Sequence, residues 1–108
     1  MKMLLTGANG FLGKAMQAAW KNSFEIITLG TNQNAMVICD LSRQIPLISS
    51  IDMVVHAAGK AHIVPKKEKE RKDFFLVNVQ GTQNLLVALE NNTSLRKFVF
   101  ISSVAVYG

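Results

Sequence analysis

A glycine-rich stretch near the start of the chain most constrains the fold. Residues 3–5 are an apolar run typical of a buried strand, and the glycines that follow have the spacing Gly-x-x-Gly-x-x-Gly. Phe11 and Leu12 are followed at helical spacing by Ala15, Met16, Ala19 and Trp20, which predicts an amphipathic helix. The sequence therefore predicts a strand, a tight turn and a helix.

Each glycine has its own physical role if this turn holds a dinucleotide. Gly7 lets the chain leave the strand with dihedral angles that a Cβ resists, Gly10 lets the backbone approach a pyrophosphate, and Gly13 lets the helix pack against the sheet. The helix N-terminus directs free N–H groups and the positive end of its dipole at the phosphates. The surrounding strand and amphipathic helix favour dinucleotide binding over an ordinary turn.

Length and composition indicate one globular domain of 108 residues, 49% of them hydrophobic. No apolar run approaches the ~20 residues of a membrane span, and the first strand begins without a signal peptide. We therefore expect a cytoplasmic protein without a membrane partner. The single Cys39 fits a reducing compartment, and we interpret it as a small buried hydrophobic residue.

The net charge of +5 raises the question of nucleic-acid binding. Much of the basic charge lies in residues 66–72, interleaved with glutamates, which is typical of a solvated surface. The few aromatic residues are not interleaved with these charges, so we expect no nucleic-acid partner. His62 has no second histidine or cysteine at ligand spacing, and we expect no metal site.

Strands and helices alternate along the rest of the chain, which predicts an α/β fold with a Rossmann-like, doubly wound parallel sheet in strand order 3-2-1-4-5. The long connection over residues 60–72 is the predicted rim of a substrate cleft. A weak helix is predicted over residues 42–50, interrupted at Pro46. The other predicted elements are strands at Phe24–Leu29, Met36–Cys39, Asp52–His56 and Lys97–Ile101 and a long helix at Asp73–Asn92.

Gly81 lies within the long helix and costs ~1 kcal/mol of helix stability relative to alanine. Close packing against the sheet is the physical reason we expect for it. Asn78, one turn earlier, either ties neighbouring strand ends together or touches the cofactor, and we favour the structural interpretation. The predicted buried stripe of this helix is Phe74, Val77, Gly81, Leu85 and Ala88.

Residues at the strand ends bear on cofactor binding. The stretch after the second strand has no carboxylate, the group typical of NAD sites, and no arginine that could bind a 2′-phosphate. Thr31 and Asn32 can hydrogen-bond the ribose of either NAD or NADP. The sequence therefore leaves both cofactors open. Asp40 either accepts a hydrogen bond from the adenine amino group or caps the next turn. His56 is a possible acid or base, but we favour a hydrogen-bonded structural residue.

Five motifs occur in order along the chain and together resemble the extended short-chain dehydrogenase/reductase superfamily. The resemblance is greatest to its NAD-dependent epimerase/dehydratase family, which acts on nucleotide sugars. The connection beginning at Gly59 is similar to that of the UDP-sugar 4-epimerases of surface-polysaccharide synthesis. The motifs are residues 6–13 (TGANGFLG), 40–41 (DL), 56–59 (HAAG), 78–82 (NVQGT) and 102–108 (SSVAVYG).

The resemblance implies a binding site for NAD or NADP and hydride transfer at C4 of a nucleotide-sugar substrate. It implies that Ser103 is the active-site hydroxyl, hydrogen-bonded to the sugar oxygen, and that Asn78 lies near the cofactor. The implied contacts are Gly7, Gly10, Phe11, Leu12 and Gly13 with the phosphates, Asp40 and Leu41 with the adenine side, and Ala57, Ala58 and Gly59 with the ribose side.

The chain departs from this family in one important respect. Tyr107 is its only tyrosine and Gly108 alone follows, so the Tyr-x-x-x-Lys acid/base motif is absent and we expect no turnover by these residues alone. We interpret the chain as the N-terminal portion of an epimerase or dehydratase, truncated after the fifth strand, without a substrate domain. The unpaired fifth strand makes a homo-oligomer possible. The alternatives are a non-catalytic NAD(P)-binding or sensing module and an inert remnant that oligomerises.

Overall fold

The computed structural model describes residues 1–57 and 79–101, and all statements on structure below refer to them. Their strands form one parallel sheet in the order β3-β2-β1-β4-β5, as the sequence predicts. The elements are β1 (Lys2–Thr6), α1 (Phe11–Trp20), β2 (Glu25–Gly30), β3 (Val37–Ile38), β4 (Met53–His56), α2 (Gly81–Leu89) and β5 (Lys97–Phe100).

The register of the strands brings their carboxyl ends to one edge of the sheet. Thr6, the last residue of β1, lies opposite Leu29 of β2 and His56 of β4. Strands β2 and β3 lie on one side of β1, and β4 and β5 lie on the other. The order in which strands are added to the sheet therefore reverses direction between β1 and β4. Ligands of open α/β sheets bind at such a switch point, outside the carboxyl ends of the strands.

Two apolar clusters cover the two faces of the sheet, because successive strand residues point to opposite sides. The face that carries α1 buries Met3, Leu5, Ala8, Met16 and Val55. Cys39 is buried on the other face and has no disulfide partner in the described part of the chain, as expected for a small hydrophobic residue. That second cluster consists of Leu4, Leu29, Cys39, Leu41, Ile51, Val54, Leu85 and Leu89.

The apolar residues of α1 do not all lie on its inward face. Phe11 is 86% exposed, Leu12 is 44% exposed, and Ala15 and Ala19 also lie on the exposed side. Apolarity alone does not fix which side of a helix docks. The helix approaches through a glycine, and its inward face is Gly13, Met16, Gln17 and Trp20, a helical i, i+3, i+4, i+7 stripe.

The predicted helix over residues 42–50 does not form. Residues 41–43 make a turn and the segment then runs irregularly to β4. Pro46 lacks the N–H that a helix needs and disfavours helical dihedral angles at Ile45, which explains the irregular backbone. Strand β3 is also shorter than predicted and retains only two residues.

The long predicted helix is represented by α2, which a π-helical turn at residues 79–80 precedes. Gly81 and Leu85 are buried, as the stripe predicts, and Ala88 is partly buried. The helix ends at Leu89 rather than at Asn92, and the predicted positions Phe74 and Val77 lie outside the described residues. Neither α1 nor α2 has the length and apolarity that crossing a bilayer requires.

Candidate dinucleotide-binding site

The turn after β1 is built on a left-handed glycine. Gly7 has φ = 70°, a backbone conformation that side chains disfavour, and its carbonyl oxygen accepts a hydrogen bond from the Gly10 N–H at 3.1 Å. The Lys14 N–H then donates to the Gly10 carbonyl at 3.0 Å, which begins α1. The chain thus passes from strand to helix within four residues, with the helix N-terminus at the sheet edge.

The two later glycines of the motif differ in their surroundings. A Cβ built on Gly13 would lie 2.1 Å from the Gly7 oxygen and 2.7 Å from the Ala8 Cα, so the helix backbone packs directly on the turn. Among the described residues, a Cβ on Gly10 would meet only the Gly7 oxygen, at 3.4 Å. Gly13 is therefore required for packing, whereas the space beside Gly10 is open to a ligand.

The N-terminus of α1 is suited to an anion. No side chain caps it, and no acidic residue lies in its first turn. Gly10, Phe11 and Leu12 are all exposed there. Backbone N–H groups at a free helix start, together with the helix dipole, form a ready binding site for phosphate. The side-chain amide of Gln17 donates to the Ala8 carbonyl oxygen at 2.9 Å and braces the turn from within the helix.

A buried hydrogen-bond chain crosses the switch point between β1 and β4. Thr6 Oγ1 lies 2.6 Å from His56 Nδ1, and His56 Nε2 lies 3.0 Å from Thr82 Oγ1 on α2. The Ala57 N–H also donates to Thr6 Oγ1, at 3.0 Å. His56 is 1% exposed, and burial lowers its pKa. His56 is therefore a hydrogen-bonded structural residue, which is the interpretation that the sequence favours.

At the end of β3, Asp40 caps the following turn. Its Oδ1 accepts hydrogen bonds from the Ser42 N–H at 3.1 Å and from the Ser42 hydroxyl at 2.6 Å. Of the two roles considered for Asp40, capping is thus observed, and contact with adenine remains a prediction. Leu41 is buried, and its carbonyl oxygen accepts a 2.6 Å hydrogen bond from Asn84 of α2.

The end of β2 presents no carboxylate. The strand ends at Gly30, and four exposed residues without charge follow. Asn32 Oδ1 accepts a hydrogen bond from the Asn34 N–H at 2.8 Å, which closes a local turn. The hydrogen bond that closes this turn does not involve the side-chain NH2 group of Asn32.

The structure brings part of the predicted site together. Gly7, Gly10, Phe11, Leu12 and Gly13 form the turn and helix start, and Ala57 follows the adjacent strand β4. Asp40 and Leu41 lie at the same edge, after β3. Ala58, Gly59, Asn78, Ser103 and Tyr107 lie outside the described residues, as does His62. Among residues 1–57 and 79–101, no three His, Cys, Asp or Glu side chains form a possible metal site.

Four polar side chains of this region escaped the sequence analysis. They are Thr6, Gln17, Thr82 and Asn84. Gln17 carries a detectable signal, because it falls four residues after Gly13 and thus on the same face of α1. The contact of Thr6 with His56 depends on the pairing of strands 50 residues apart in sequence, and that of Thr82 on the docking of α2 26 residues away; local patterns reveal neither.

Comparison with known proteins places this geometry in context. The chain is 33% identical over 117 residues to an N-acetyl-alpha-D-glucosaminyl-diphospho-ditrans,octacis-undecaprenol 4-epimerase of Escherichia coli O157:H7, covering 98% of this chain and 33% of that protein. The chain thus spans about a third of that relative's length.

Solved structures share the fold. UDP-glucuronic acid 4-epimerase from Bacillus cereus, in complex with UDP-glucuronic acid and NAD, matches with a TM-score of 0.72 and 31% identity, covering 100% of this chain and 42% of that chain. A human epimerase family protein with NADPH matches with a TM-score of 0.77 and 22% identity, covering 100% of this chain and 38% of that chain. The profile of the NAD dependent epimerase/dehydratase family matches residues 3–108. With its parallel sheet and glycine turn, this chain belongs to the NAD dependent epimerase/dehydratase family.

Proposed function

We propose that the chain is the dinucleotide-binding N-terminal portion of a nucleotide-sugar epimerase or dehydratase, in which NAD or NADP takes part in reversible hydride transfer at C4 of a UDP-sugar. The observation that carries the proposal is the glycine turn of residues 7–13, with its uncapped helix start at the switch point of the sheet. A turn of this kind supplies backbone N–H groups where ligands of such sheets bind.

The residues present fit a dinucleotide. The space beside Gly10 is open, whereas a Cβ there would narrow the approach to the backbone. The α1 N-terminus carries no acidic side chain that would repel a pyrophosphate. Ala57, a small residue after β4, lies next to the turn because β4 pairs with β1. We assign the phosphates to the turn and the ribose side to Ala57, Ala58 and Gly59.

The chemistry divides between the cofactor and the chain. A bound nicotinamide supplies the reversible hydride acceptor. The chain positions that cofactor: the turn binds its phosphates, and the Thr6–His56–Thr82 hydrogen bonds hold β1, β4 and α2 in register beside it. By the family resemblance, we assign to Ser103 a hydrogen bond to the reacting sugar oxygen. The proton acceptor would come from a part of the enzyme beyond these motifs.

The sugar nucleotide is proposed from the relatives. The Bacillus cereus structure holds UDP-glucuronic acid, and the Escherichia coli relative is by name a 4-epimerase. Both names describe reactions at the same ring position, C4. The Escherichia coli relative acts by name on a sugar linked to diphospho-undecaprenol, so we propose the UDP group from the Bacillus cereus structure and reaction at C4 from both proteins.

Binding of NAD to a Gly10→Val variant tests the proposed function. Gly10 has φ = −75° and ψ = 171°, an extended conformation that valine adopts readily, so the variant is expected to fold. Its side chain would fill the space through which a pyrophosphate approaches the helix start. We expect titration calorimetry to show NAD binding to the original chain and none to Gly10→Val, with unchanged circular dichroism.

Ala18→Val is the matched control. It adds the same side chain to the exposed side of α1, away from the turn, and NAD affinity should stay as in the original chain. Equal affinity of the original chain and Gly10→Val would remove the phosphate assignment. Absence of NAD and NADP binding by the original chain would contradict the proposed function as a whole.

A further inference from the structure

We propose that Gln17 is a positioning residue for the dinucleotide: it fixes the peptide between Ala8 and Asn9 so that the Asn9 N–H faces the bound phosphates. The inference rests on the proposed function and adds a residue that lies outside the glycine motif. Gln17 acts on that motif through one hydrogen bond, from its side-chain amide to the Ala8 carbonyl oxygen at 2.9 Å.

The backbone of residues 7–10 forms a type I turn. The Gly10 N–H donates to the Gly7 carbonyl oxygen at 3.1 Å, which closes a four-residue turn with Ala8 and Asn9 at its centre. Types I′, II and II′ need a positive φ at one or both central residues, and no described residue other than glycine has one. Type I is the common hydrogen-bonded form that needs none.

The sequence of this turn also permits a second form. Rotation of the central peptide by about 180° converts a type I turn into type II, which needs a positive φ at the second central residue. Asn9 occupies that position, and asparagine tolerates a positive φ better than most other residues with a side chain. A contact that distinguishes the two orientations of the peptide therefore determines which form is populated.

Gln17 makes such a contact from α1. Gly13 lets the helix pack directly on the turn, since a Cβ there would lie 2.7 Å from the Ala8 Cα, and Gln17 follows four residues later on the same face of the helix. The amide of Gln17 thus holds the Ala8 carbonyl oxygen toward the helix. In a trans peptide the N–H points opposite to the C=O, so the Asn9 N–H points away from Gln17.

The orientation of this peptide matters to an anion. Asn9 and Gly10 are exposed, and no described residue accepts a hydrogen bond from the Asn9 N–H. In the rotated form the Ala8 oxygen would take the place of that N–H and present negative partial charge to a pyrophosphate, where backbone N–H groups are the suitable partners. Gln17 therefore raises the fraction of chains whose turn is ready for the ligand, and the apparent affinity rises with that fraction.

Calorimetric titration of NAD into Gln17→Met tests the inference. Methionine resembles glutamine in size and helix propensity but has no N–H to donate. Loss of the hydrogen bond lets the rotated form compete, and we expect a dissociation constant for NAD at least about fivefold above that of the original chain.

Asn92→Leu is the matched control. It removes a hydrogen bond of the same kind, from the Asn92 side-chain amide to the Ser49 carbonyl oxygen at 3.0 Å. Asn92 and Ser49 precede β5 and β4, so this bond lies near the amino ends of the strands, at the sheet edge opposite the turn. The dissociation constant for NAD should stay within about twofold of the original.

The amide NMR signal of Asn9 separates positioning from a loss of stability alone. Without ligand, this signal should differ in position between Gln17→Met and the original chain, and Asn92→Leu should leave it in place. Saturation with NAD selects the form with the N–H outward, so the difference between Gln17→Met and the original chain should shrink.

Weakening by less than about fivefold in Gln17→Met, equal weakening by Asn92→Leu, or an Asn9 signal that Gln17→Met leaves unchanged would each overturn the inference. NAD binding by the original chain would still uphold the proposed function. If Gln17→Met fails to fold by circular dichroism, Gln17→Ala, with the strongest helix former, replaces it under the same criteria. If the original chain binds neither NAD nor NADP, the proposed function itself fails.

Discussion

The imidazole of His56 couples the stability of the chain to pH. Burial lowers its pKa below the ordinary value of 6.5, so the unfolded chain takes up this proton at a higher pH than the folded chain does. Thr6 and Thr82 face the ring from β1 and α2, and Phe98 and Phe100 face it from β5; none of these four is charged. We expect the free energy of unfolding to level off above neutral pH and to fall as the pH drops below 6.5.

Urea unfolding followed by the fluorescence of Trp20, from about pH 5 to about pH 8, measures this dependence. His56→Asn keeps a polar side chain that does not titrate, and its stability should vary less with pH over this range. His62→Asn accounts for the other histidine of the chain. Parallel pH profiles of the original chain and His56→Asn would show that protonation of His56 has no part in the effect.

Gly13 and Gly10 should respond differently to the same added methyl group. Gly13→Ala places a Cβ 2.1 Å from the Gly7 oxygen, a backbone atom fixed by the turn, and we expect a loss of about 1–3 kcal/mol in the free energy of unfolding. Gly10→Ala meets that oxygen at 3.4 Å and should cost less than about 1 kcal/mol, mainly as a poorer helix cap. Urea denaturation compares them, and equal losses would contradict the packing role of Gly13.

Sequence reasoning reaches some of these residues and not others. The glycine spacing and the following helix predict the turn, because the required backbone freedom is local and glycine alone supplies it. The Thr6–His56–Thr82 chain lies beyond such reasoning, since it requires β1 to pair with β4 in one register. The capping of Ser42 by Asp40 was one of two alternatives, and only the coordinates of the turn identify it.

At the scale of elements, a side-chain hydrogen bond joins α2 to the β3–β4 connection, beside the apolar packing of Leu85 and Leu89. Asn84 donates to the Leu41 carbonyl oxygen at 2.6 Å, and both groups are at least partly buried. Asn84→Ala leaves that carbonyl without this donor, and we expect a loss of about 1 kcal/mol in the free energy of unfolding. Gln83→Ala, at an exposed position of the same helix, is the control and should change stability little. Equal effects of the two variants would remove the assigned role of Asn84.

The elements also show where periodicity misleads. The existence and order of strands and of α1 follow from the sequence, because runs of apolar residues separated by turns are strong signals. The side of α1 that packs on the sheet does not follow from the sequence. Gly13 has no apolar side chain, yet it makes the closest approach of the helix to the turn at Gly7 and Ala8. For residues 42–50 the apolar pattern competes with Pro46, and the backbone restriction imposed by proline prevails.

At the scale of the whole molecule, the chain should bind a dinucleotide without completing the reaction. The Tyr-x-x-x-Lys motif, to which the resemblance assigns proton exchange with the sugar hydroxyl, does not occur among the 108 residues. We expect no interconversion of UDP-glucose and UDP-galactose by this chain, measured by NMR after prolonged incubation with NAD. A UDP-glucose 4-epimerase of known activity is the positive control. Conversion by the chain above a protein-free sample would contradict this expectation.

The pairing of Thr6 with His56 also has a consequence for biosynthesis. The strand that completes the switch point beside the glycine turn is translated about 50 residues after the strand that precedes this turn. Contacts between such distant segments form late, after the entropy of closing the intervening loop has been overcome. In a nascent polypeptide, the proposed dinucleotide site is therefore complete only after β4 has emerged and inserted beside β1.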